Sequence, residues 1–277
     1  MLLRKRHYMH CFCRFRIFMK IVLQKSLSFA PWMQTQTSKL PGITPVSLSE
    51  WIQIDEAYTE QLLLKSELVS KNFDQVHRLA NEAIPAAIEV LNKVLSLIPG
   101  LGFEINGSEV RRPDEVVVTI DKAEPLLSLA KLIQEDIIIL QKVGGEHLLR
   151  GACLCFPASW DLNEKFNKPL TQIHEPVENY DTILAQRVER IISSVRPDQP
   201  LMRGNVLRYA NPELFHPKRN SDLERLSRKG EYIRSERQTL LKMPNTDAVI
   251  FSIHSYVIRE TDLSSEQVAG LVSHGLS

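Results

Sequence analysis

The sequence predicts an α+β fold in which helices flank an antiparallel sheet, with a helical extension before it. The first observation is a hairpin pattern, in which apolar, β-rich runs at residues 136–140 and 148–156 are separated by the turn-like Val143-Gly144-Gly145. The second is the return of strand-like segments at residues 202–209, 232–241 and 248–257. The third is a helical pattern between these two groups of strands, at residues 162–173 and 180–194.

Helical patterns also dominate the part of the chain before the hairpin. Ser47 or Ser49 can cap a helix whose buried stripe is Trp51, Ile54, Tyr58 and Leu62. A second helical stretch is predicted for residues 72–97, and Pro85 is expected to kink or split it. The remaining predicted elements are a strand at residues 116–118, a short helix at 125–134 and a final helix at 264–271.

The charge distribution divides the 277 residues into a basic leader and a mildly acidic body. The first 49 residues contain eight Lys or Arg and no Asp or Glu, so the net charge of +1 leaves about −7 (+1 − 8) for the rest. Residues 1–30 are predicted to be a mitochondrial presequence, an interfacial anchor or an extension without function. Residues 31–46 are predicted to be a linker, and residues 47–277 a single domain.

Composition argues against several classes of protein. With 43% hydrophobic and 24% charged residues, the chain is typical of globular proteins, and the uninterrupted apolar runs of its opening segment are too short to span a bilayer. The acidic body offers no broad basic face for nucleic acid. The cysteines form two C-x-C pairs, Cys11 with Cys13 and Cys153 with Cys155. These are poor zinc or iron–sulfur sites and indicate an intracellular protein, cytoplasmic, or mitochondrial if the leader is a presequence.

The predicted order of elements, two strands, a helical segment and three strands, is that of PAS-type domains. In such domains an antiparallel sheet and its flanking helices enclose a cavity for a small molecule, and the helical segment lies over one face of the sheet. We therefore expect a ligand between the helical segment and the inward side chains of the sheet.

The densest local pattern is CLCFPASWDLNEKFNKPLTQIHEPVENY, residues 153–180. Ser159 or Asp161 can cap a helix after the buried strand. Pro176 disfavours helical geometry at the residue before it, so the helix is expected to end near His174. A histidine at this position can project into a cavity, although a capping or surface role is the alternative.

Several segments between residues 47 and 260 carry a resemblance to a known family. They are WIQID (51–55) with Tyr58, LIQED (132–136), CFP (155–157) with Trp160, Lys165 with KPL (168–170), IHEPV (173–177) with Tyr180, and ERQTL (236–240) with Pro244. In these segments the chain resembles the haem-binding alpha subunits of oxidative N-demethylases. The resemblance implies a PAS-like haem monooxygenase that uses dioxygen to oxidise a small amine such as dimethylamine. It also implies electrons from NADPH, delivered through flavin and iron–sulfur partners.

The same resemblance makes His174 the expected proximal haem ligand. Neutral imidazole is a good ligand for haem iron because it adds no charge, and its other nitrogen can be held by a nearby acceptor. Tyr180, in the same motif, is an expected contact of the haem.

If the chain is such an enzyme, the order of residues in the predicted sheet suggests candidates for the other parts of the pocket. Ferrous haem that binds dioxygen needs a polar group beside the oxygen, and Arg237 is the first choice and Arg203 the second. For both arginines, a contact with a haem propionate or a solvated position is also possible. Asn205 shares a strand face with Arg203. Glu135 and Asp136 could orient a cationic amine, although Glu135 could instead cap the entry to the strand.

Three features depart from this interpretation or offer a different ligand. We expect Trp-Arg-x-Asn-Trp around Arg203 in the family, whereas this chain has Met202 and Val206. Loss of two rings would reshape a pocket wall, so the substrate would differ from dimethylamine, or haem binding would persist without catalysis. Cys153 and Cys155 offer a thiolate ligand but are typical buried core residues. His254 is a reserve ligand.

Motifs for other common chemistries are missing. The chain has no G-x-x-x-x-G-K-[ST], G-x-S-x-G or H-E-x-x-H, and residues 100–102 lack the third glycine of a dinucleotide fingerprint. NADPH, flavin and an iron–sulfur cluster are therefore expected on a separate reductase subunit. Three hypotheses remain: a haem-dependent N-demethylating monooxygenase subunit, a non-catalytic haem-binding sensor or carrier, and a protein that keeps the fold without haem.

Overall fold

Helices and strands are both abundant in the residues that the computed structural model describes, which are 21–34, 42–174, 182–217 and 230–273. The strands are β1 (Thr44–Pro45), β2 (His77–Leu79), β3 (Glu104–Asn106), β4 (Glu109–Arg111), β5 (Val117–Thr119), β6 (Asp136–Val143), β7 (Glu146–Cys153), β8 (Leu201–Tyr209), β9 (Tyr232–Lys242) and β10 (Val249–Arg259). The helices are α1 (Tyr58–Lys71), α2 (Phe73–Val76), α3 (Ile84–Leu97), α4 (Pro125–Ala130), α5 (Leu162–Lys165), α6 (Leu170–His174), α7 (Thr182–Ser194) and α8 (Ser265–Ser273). The α+β class is confirmed.

Seven of these strands form one antiparallel sheet in the order β1-β8-β9-β10-β6-β7-β2. The predicted hairpin is β6–β7, and Gly144 and Gly145 at its tip have φ of 60° and 99°, as a two-residue primed turn requires. After α5, α6 and α7 the chain returns as β8, β9 and β10, and β10 pairs with β6. The predicted order of two strands, helices and three strands is confirmed.

The pairing register assigns each strand residue to one of two faces of the sheet. Arg203 pairs with Gln238, which pairs with Ile253, so these three side chains share one face. We call it the α6 face. The next row contains Gly204, Arg237 and His254, and it lies on the opposite face, which we call the N-terminal face.

The helices between β7 and β8 cover part of the α6 face. Leu162 of α5, Leu170 and Ile173 of α6, and Ile192 of α7 pack in one buried apolar cluster. The sheet contributes side chains of the α6 face to this cluster, namely Ile138, Leu140, Leu149, Ala152, Val249 and Ile253. The helical segment therefore lies over one face of the sheet, as its place in the chain predicted.

The N-terminal half of the chain covers the opposite face. Trp51 is fully buried and donates from its indole nitrogen to Ser252 of β10, at 2.9 Å. Two helices, α1 and α3, supply much of the same core, through Leu62, Leu64, Leu68, Val90, Leu91 and Val94. The predicted helix at residues 47–62 is replaced by a capped 3-10 turn at Leu48–Glu50 and by α1, which begins only at Tyr58.

The predicted helix at residues 72–97 is also divided. Residues 77–79 form β2 instead, because they pair with β7, and Pro85 lies in the first turn of α3, where its missing N–H costs nothing. Residues 81–101 are long and apolar enough to cross a membrane by composition. A buried core helix passes the same test, and α3 packs in the core through Ala86, Ala87 and Val90.

A second, smaller sheet has the order β3-β4-β5. The predicted strand at residues 116–118 corresponds to β5. Val110 of β4 is fully buried and joins the core that the N-terminal helices form. The small sheet is therefore attached to the body of the protein through its central strand.

Residues 21–34 pack on the N-terminal face, and we call them the N-terminal strap. The backbone of Gln24 donates to the carbonyl of Val257 at 2.9 Å, and its side-chain oxygen accepts from the amide of Val257 at 2.7 Å. Leu27, Phe29 and Trp32 are buried against the sheet. The sequence assigned these residues to a leader and a linker, whereas the contacts make them part of the folded body.

Candidate functional site

The end of α6 is held over the α6 face by its own anchors. Leu170 and Ile173 are buried in the apolar cluster, and the turn before α6 pairs with β7. The amide of Asn167 donates to the carbonyl of Leu149 at 2.8 Å, and the amide of Leu149 donates to the carbonyl of Lys168 at 3.1 Å. His174 is the last residue of α6 that the structure describes. Its side chain and the whole of Tyr180 lie outside the described residues.

The short helix α5 contacts the same end of α6. Asp161 caps α5 by accepting from the amide of Asn163 at 2.8 Å, as the sequence predicted for Ser159 or Asp161. Lys165, at the end of α5, donates from Nζ to the carbonyl of Ile173 at 3.3 Å. Its ammonium also lies 4.8 Å from the ring centroid of Trp160. Two residues from the predicted motif therefore meet beside His174.

The α6 face changes from apolar to polar as it crosses β8 and β9. Glu236 is buried at the centre of the polar part, and its Oε2 accepts from Asn205 Nδ2 at 3.1 Å and from Gln238 Nε2 at 2.9 Å. Its Oε1 accepts from Nε of Arg234 at 2.8 Å. Three donors therefore fix this carboxylate, and the guanidinium of Arg234 balances its charge.

Arg234 is fixed as tightly as the carboxylate it binds. It is 1% exposed, and its guanidinium also donates to the carbonyls of Leu214 and Phe156 and to the hydroxyl of Ser255. These bonds join β9 to β10 and to the segments on either side of the helices. Arg234 and Glu236 together form a rigid polar floor on this part of the α6 face.

Arg203 lies on the same face but is much less satisfied. Its Nε is buried without a hydrogen-bond partner, and no ion pair joins Arg203 to any described residue. Burial lowers the pKa of Arg203 from its usual value, and the nearby charge of Glu236 opposes this shift only in part. Because Glu236 is already paired with Arg234, no ion pair with a described residue balances the charge of Arg203.

Arg237 and Glu135 lie on the opposite side of the sheet from Arg203 and Asn205. Arg237 is 7% exposed and makes two long hydrogen bonds from Nη1, to the carbonyl of Trp51 at 3.3 Å and to the hydroxyl of Thr239 at 3.4 Å. Burial lowers its pKa, partly opposed by the charge of Glu135. The predicted residues therefore do not line a single pocket: the sheet separates Arg237 and Glu135 from Arg203 and Asn205.

Glu135 belongs to a buried row of charges on the N-terminal face. Its Oε1 accepts from the amide of Gln53 at 2.8 Å and lies 3.0 Å from Nδ1 of His254. His254 Nε2 lies 3.4 Å from Asp55. Burial alone would lower the pKa of His254, but the charge of Glu135 and hydrogen bonds to both carboxylates raise it to about 9. A protonated histidine between two carboxylates is an ion-pair residue rather than a metal ligand.

Cys153 and Cys155 also lie in the core on the N-terminal side, and Asp136, which begins β6 in the row of Ile253, is bonded to a residue of α1 on that side. Asp136 is paired with Lys65, whose Nζ lies 3.1 Å from Oδ1, and accepts the amide of Phe156 at 2.6 Å. Cys153 and Cys155 are buried free thiols, and hydrogen bonding with Cys153, together with burial, raises the pKa of Cys155. Such thiols are core residues. Within the described ranges, no three His, Cys, Asp or Glu side chains form a cluster that could hold a metal ion.

The two positions where aromatic rings were expected, 202 and 206, also face the N-terminal side. Met202 and Val206 pack in a cluster with Leu27, Phe29 and Trp32 of the N-terminal strap. They alternate with Arg203 and Asn205 along β8, so they do not belong to the same wall. Any effect of these two residues on a pocket wall would therefore be on the N-terminal face and not beside Arg203.

Glu236, Gln238 and Arg234 are the site residues that sequence reasoning missed. All three lie on β9 at alternate positions, which is a signal that the sequence contains. The missing information was the register between β8 and β9, which brings Asn205 opposite Glu236.

Comparison with known protein families gives a match over most of the chain. The family described as haem-dependent oxidative N-demethylase, alpha subunit-like, matches residues 42–276. The match includes both sheets and all the candidate residues, whereas the N-terminal strap lies outside it. A comparison with curated proteins finds no match.

Proposed function

The chain belongs to the haem-dependent oxidative N-demethylase, alpha subunit-like, family, and from this premise we propose that it binds haem on the α6 face and oxidises an N-methyl group of a small amine. One observation carries the proposal. The described part of α6 reaches His174 over a face of the sheet that combines an apolar area with a half-buried arginine, Arg203, which lacks an ion-pair partner among the described residues.

The residues on the α6 face fit the two kinds of surface that haem presents. Its macrocycle is apolar and needs side chains such as those around Ile253 and Phe251, which pack beneath α6 and α7. Its propionates are anionic and need a cation, and Arg203 has a buried Nε that no described group satisfies. The order of strands and helices around this face also supports the comparison with PAS-type ligand-binding domains.

In this proposal the residues of the chain have separate roles. His174 is the iron ligand, because α6 brings its backbone to the border of the apolar area. Arg203 binds a propionate, and Asn205, held by Glu236, lines the polar part of the face. Arg237 and Glu135 have no contact with haem or substrate here, because they lie beneath the N-terminal segments.

The proposed reaction converts an N-methylamine to the demethylated amine and formaldehyde. It consumes one dioxygen, two electrons and two protons, and the second oxygen atom leaves as water. Haem, when bound, would supply the activation of dioxygen that this oxidation requires. The apolar cluster under α6 would exclude water from the site.

The electrons require a partner. We propose a separate reductase subunit carrying flavin and an iron–sulfur cluster, because the sequence has no dinucleotide or cluster motif. The buried free thiols of Cys153 and Cys155 are compatible with a reducing compartment. We propose the cytoplasm, or the mitochondrion if the basic leader acts as a presequence.

The haem spectrum of the full chain tests the proposal. Wild-type protein supplied with haem should show a Soret band, His174→Ala should lose or shift that band, and the matched control His274→Ala should keep it. A wild-type protein without a Soret band contradicts haem binding. A band that is the same in His174→Ala contradicts the ligand assignment.

A second measurement separates an enzyme from a sensor or carrier. Haem-loaded protein is mixed with a reductant, dioxygen and candidate methylamines, and formaldehyde is measured. Formaldehyde production that depends on the amine supports the monooxygenase. A protein with a Soret band that releases no formaldehyde, with any methylamine and with a reductase present, is a haem-binding sensor or carrier.

A further inference from the structure

We infer that Lys165 is a positioning residue, which fixes the last turn of α6 and so the backbone from which His174 projects. The inference rests on the proposed function for the role of His174. Its observations are the bond from Lys165 Nζ to the carbonyl of Ile173, at 3.3 Å, and the contact of the same ammonium with the Trp160 ring, at 4.8 Å.

The described part of α6, Leu170–His174, is followed in the sequence by Pro176, which has no N–H to donate and disfavours helical geometry at residue 175. The last four carbonyls of any α-helix have no partner within the helix, so the carbonyls close to this proline need other donors. These carbonyls also carry the negative end of the helix dipole. A lysine ammonium satisfies both needs, since it donates to a terminal carbonyl and places positive charge beside it.

Lys165 is itself held in place before it reaches α6. Leu162 of α5 is buried, and Asn163 donates from Nδ2 to the carbonyl of Asp74 at 3.0 Å, which ties α5 to α2. The cation–π contact with Trp160 limits the directions that the ammonium can take. The lysine is therefore a fixed donor rather than a freely moving surface side chain.

The two ends of α6 are anchored by different groups. Backbone bonds between β7 and residues 167 and 168 hold the beginning of α6. At the other end, the described contacts are the burial of Ile173 and the bond from Lys165. Loss of the ammonium should therefore loosen the His174 end of α6 and leave its beginning in place.

Amide hydrogen exchange of the haem-free full-length protein tests this inference directly. In Lys165→Met, which keeps an apolar stem, the amides of residues 172–174 should exchange roughly 10- to 100-fold faster, the effect of losing one hydrogen bond from a charged donor. The amides of β7 and the thermal midpoint should stay unchanged. Lys168→Met is the matched control, because Lys168 is an exposed lysine in the turn between α5 and α6.

Two further variants separate positioning from general stability. Lys165→Arg keeps a cation and the contact with Trp160, and should restore most of the protection at residues 172–174. Trp160→Leu should loosen the same amides by a smaller factor. Exchange in Lys165→Met equal to that of wild type, or equally fast in Lys168→Met, overturns the inference.

The haem-loaded protein gives an independent readout. Lys165→Met should release haem at least about tenfold faster than wild type and shift its reduction potential, because the ligand is less well oriented. A wild-type protein without a Soret band removes the proposed function, and the exchange data still decide whether Lys165 fixes α6. Local loosening in Lys165→Met with unchanged haem release and potential overturns the positioning role while the proposed function stands.

Discussion

Arg203 on β8 is half-buried and Arg237 on β9 is buried, and the two arginines face opposite sides of the sheet and have different partners. Arg203 has a buried Nε without a partner among the described groups, whereas Arg237 contacts Trp51 and Thr239 and lies near the charge of Glu135. Only Arg203 shares a face with the end of α6. The face of the sheet on which each arginine lies thus determines what its removal should do.

We predict that Arg203→Met weakens haem binding without destabilising the haem-free protein. Removal of a guanidinium that makes few bonds should change the free energy of unfolding by less than about 1 kcal/mol. Arg237→Met should behave in the opposite way, with a loss of about 2 kcal/mol, because Glu135 then keeps a buried charge with one cation fewer nearby. Urea unfolding of the haem-free proteins and haem titration measure both effects.

The two variants control each other, since each removes one guanidinium from neighbouring strands of the same sheet. Weaker haem binding in Arg237→Met than in Arg203→Met would place the ligand on the N-terminal face and contradict the assignment. Equal effects on haem binding would mean that neither arginine contacts the ligand.

His254 gives the protein a predicted pH dependence. Its folded pKa, about 9, lies above the ordinary value of 6.5 for a histidine. A raised folded pKa contributes stability that is fully present below pH 6.5 and is lost as the pH rises through 9. The free energy of unfolding should therefore fall between these pH values by about 3 kcal/mol at most.

Urea unfolding at several pH values between 6 and 9.5 measures this dependence. His254→Gln cannot be protonated, so its stability should be lower at pH 6.5 and nearly flat across the same interval. The proposed ion pair with Glu135 and Asp55 is wrong if the variant loses stability with rising pH as steeply as the wild type does.

At the scale of single elements, the sequence predicted the features that depend only on residues close together in the chain. The turn at Gly144 and Gly145 needs positive φ at both positions, so the hairpin could be recognised from the residues alone. The position of Pro85 in the first turn of α3 could not be recognised in this way. It depends on β2, which forms only because residues 77–79 pair with β7, and α3 then begins at Ile84. Tertiary contacts overrode the helical pattern at residues 77–79.

In the candidate site, the feature that the sequence could not predict is the pairing register between β8 and β9. Alternation along β8 correctly separates Arg203 and Asn205 from their neighbours, as alternation along β9 separates Glu236 and Gln238 from Arg237. Which set faces α6 depends on the pairing of Gly204 with Arg237, across a connection of 22 residues. Local pattern carries no information about that pairing, so the sequence could name Arg203, Asn205 and Arg237 as candidates but could not assign them to a face or find Glu236 as their partner.

At the scale of the whole molecule, the N-terminal strap closes the face of the sheet opposite the proposed haem site. Ser235 donates to the carbonyl of Phe29 at 2.7 Å, and the indole of Trp32 donates to the carbonyl of Gln267 at 2.9 Å, so the strap joins β9 to α8. A Cβ added to Gly204 would lie 2.3 Å from Cβ of Pro31. Such close approach indicates that strap and sheet are packed as one core.

We predict that removal of residues 1–34 destabilises the protein far more than removal of residues 1–20. The longer deletion strips Leu27, Phe29 and Trp32 from the sheet and exposes apolar side chains such as Ile258. The loss should be on the order of 5 kcal/mol, from the buried area of these side chains less the entropy that ordering the strap costs. Thermal unfolding of the two truncated proteins and the full chain measures the difference.

Gly204→Ala supplies a matched test of the same contact at one residue. In the full chain the new methyl group clashes with Pro31 and should lower the free energy of unfolding by about 2 kcal/mol, whereas Gly100→Ala, with open space around it, should have little effect. In the protein without residues 1–34, Gly204→Ala should lower the free energy of unfolding much less, because Pro31 is absent. Two results would contradict this prediction: an equal loss of unfolding free energy from Gly204→Ala in both proteins, or equal thermal midpoints for the two deletions. Either result would mean that the family core is stable without the strap. Residues 21–34 would then be the leader and linker segment that the sequence predicted.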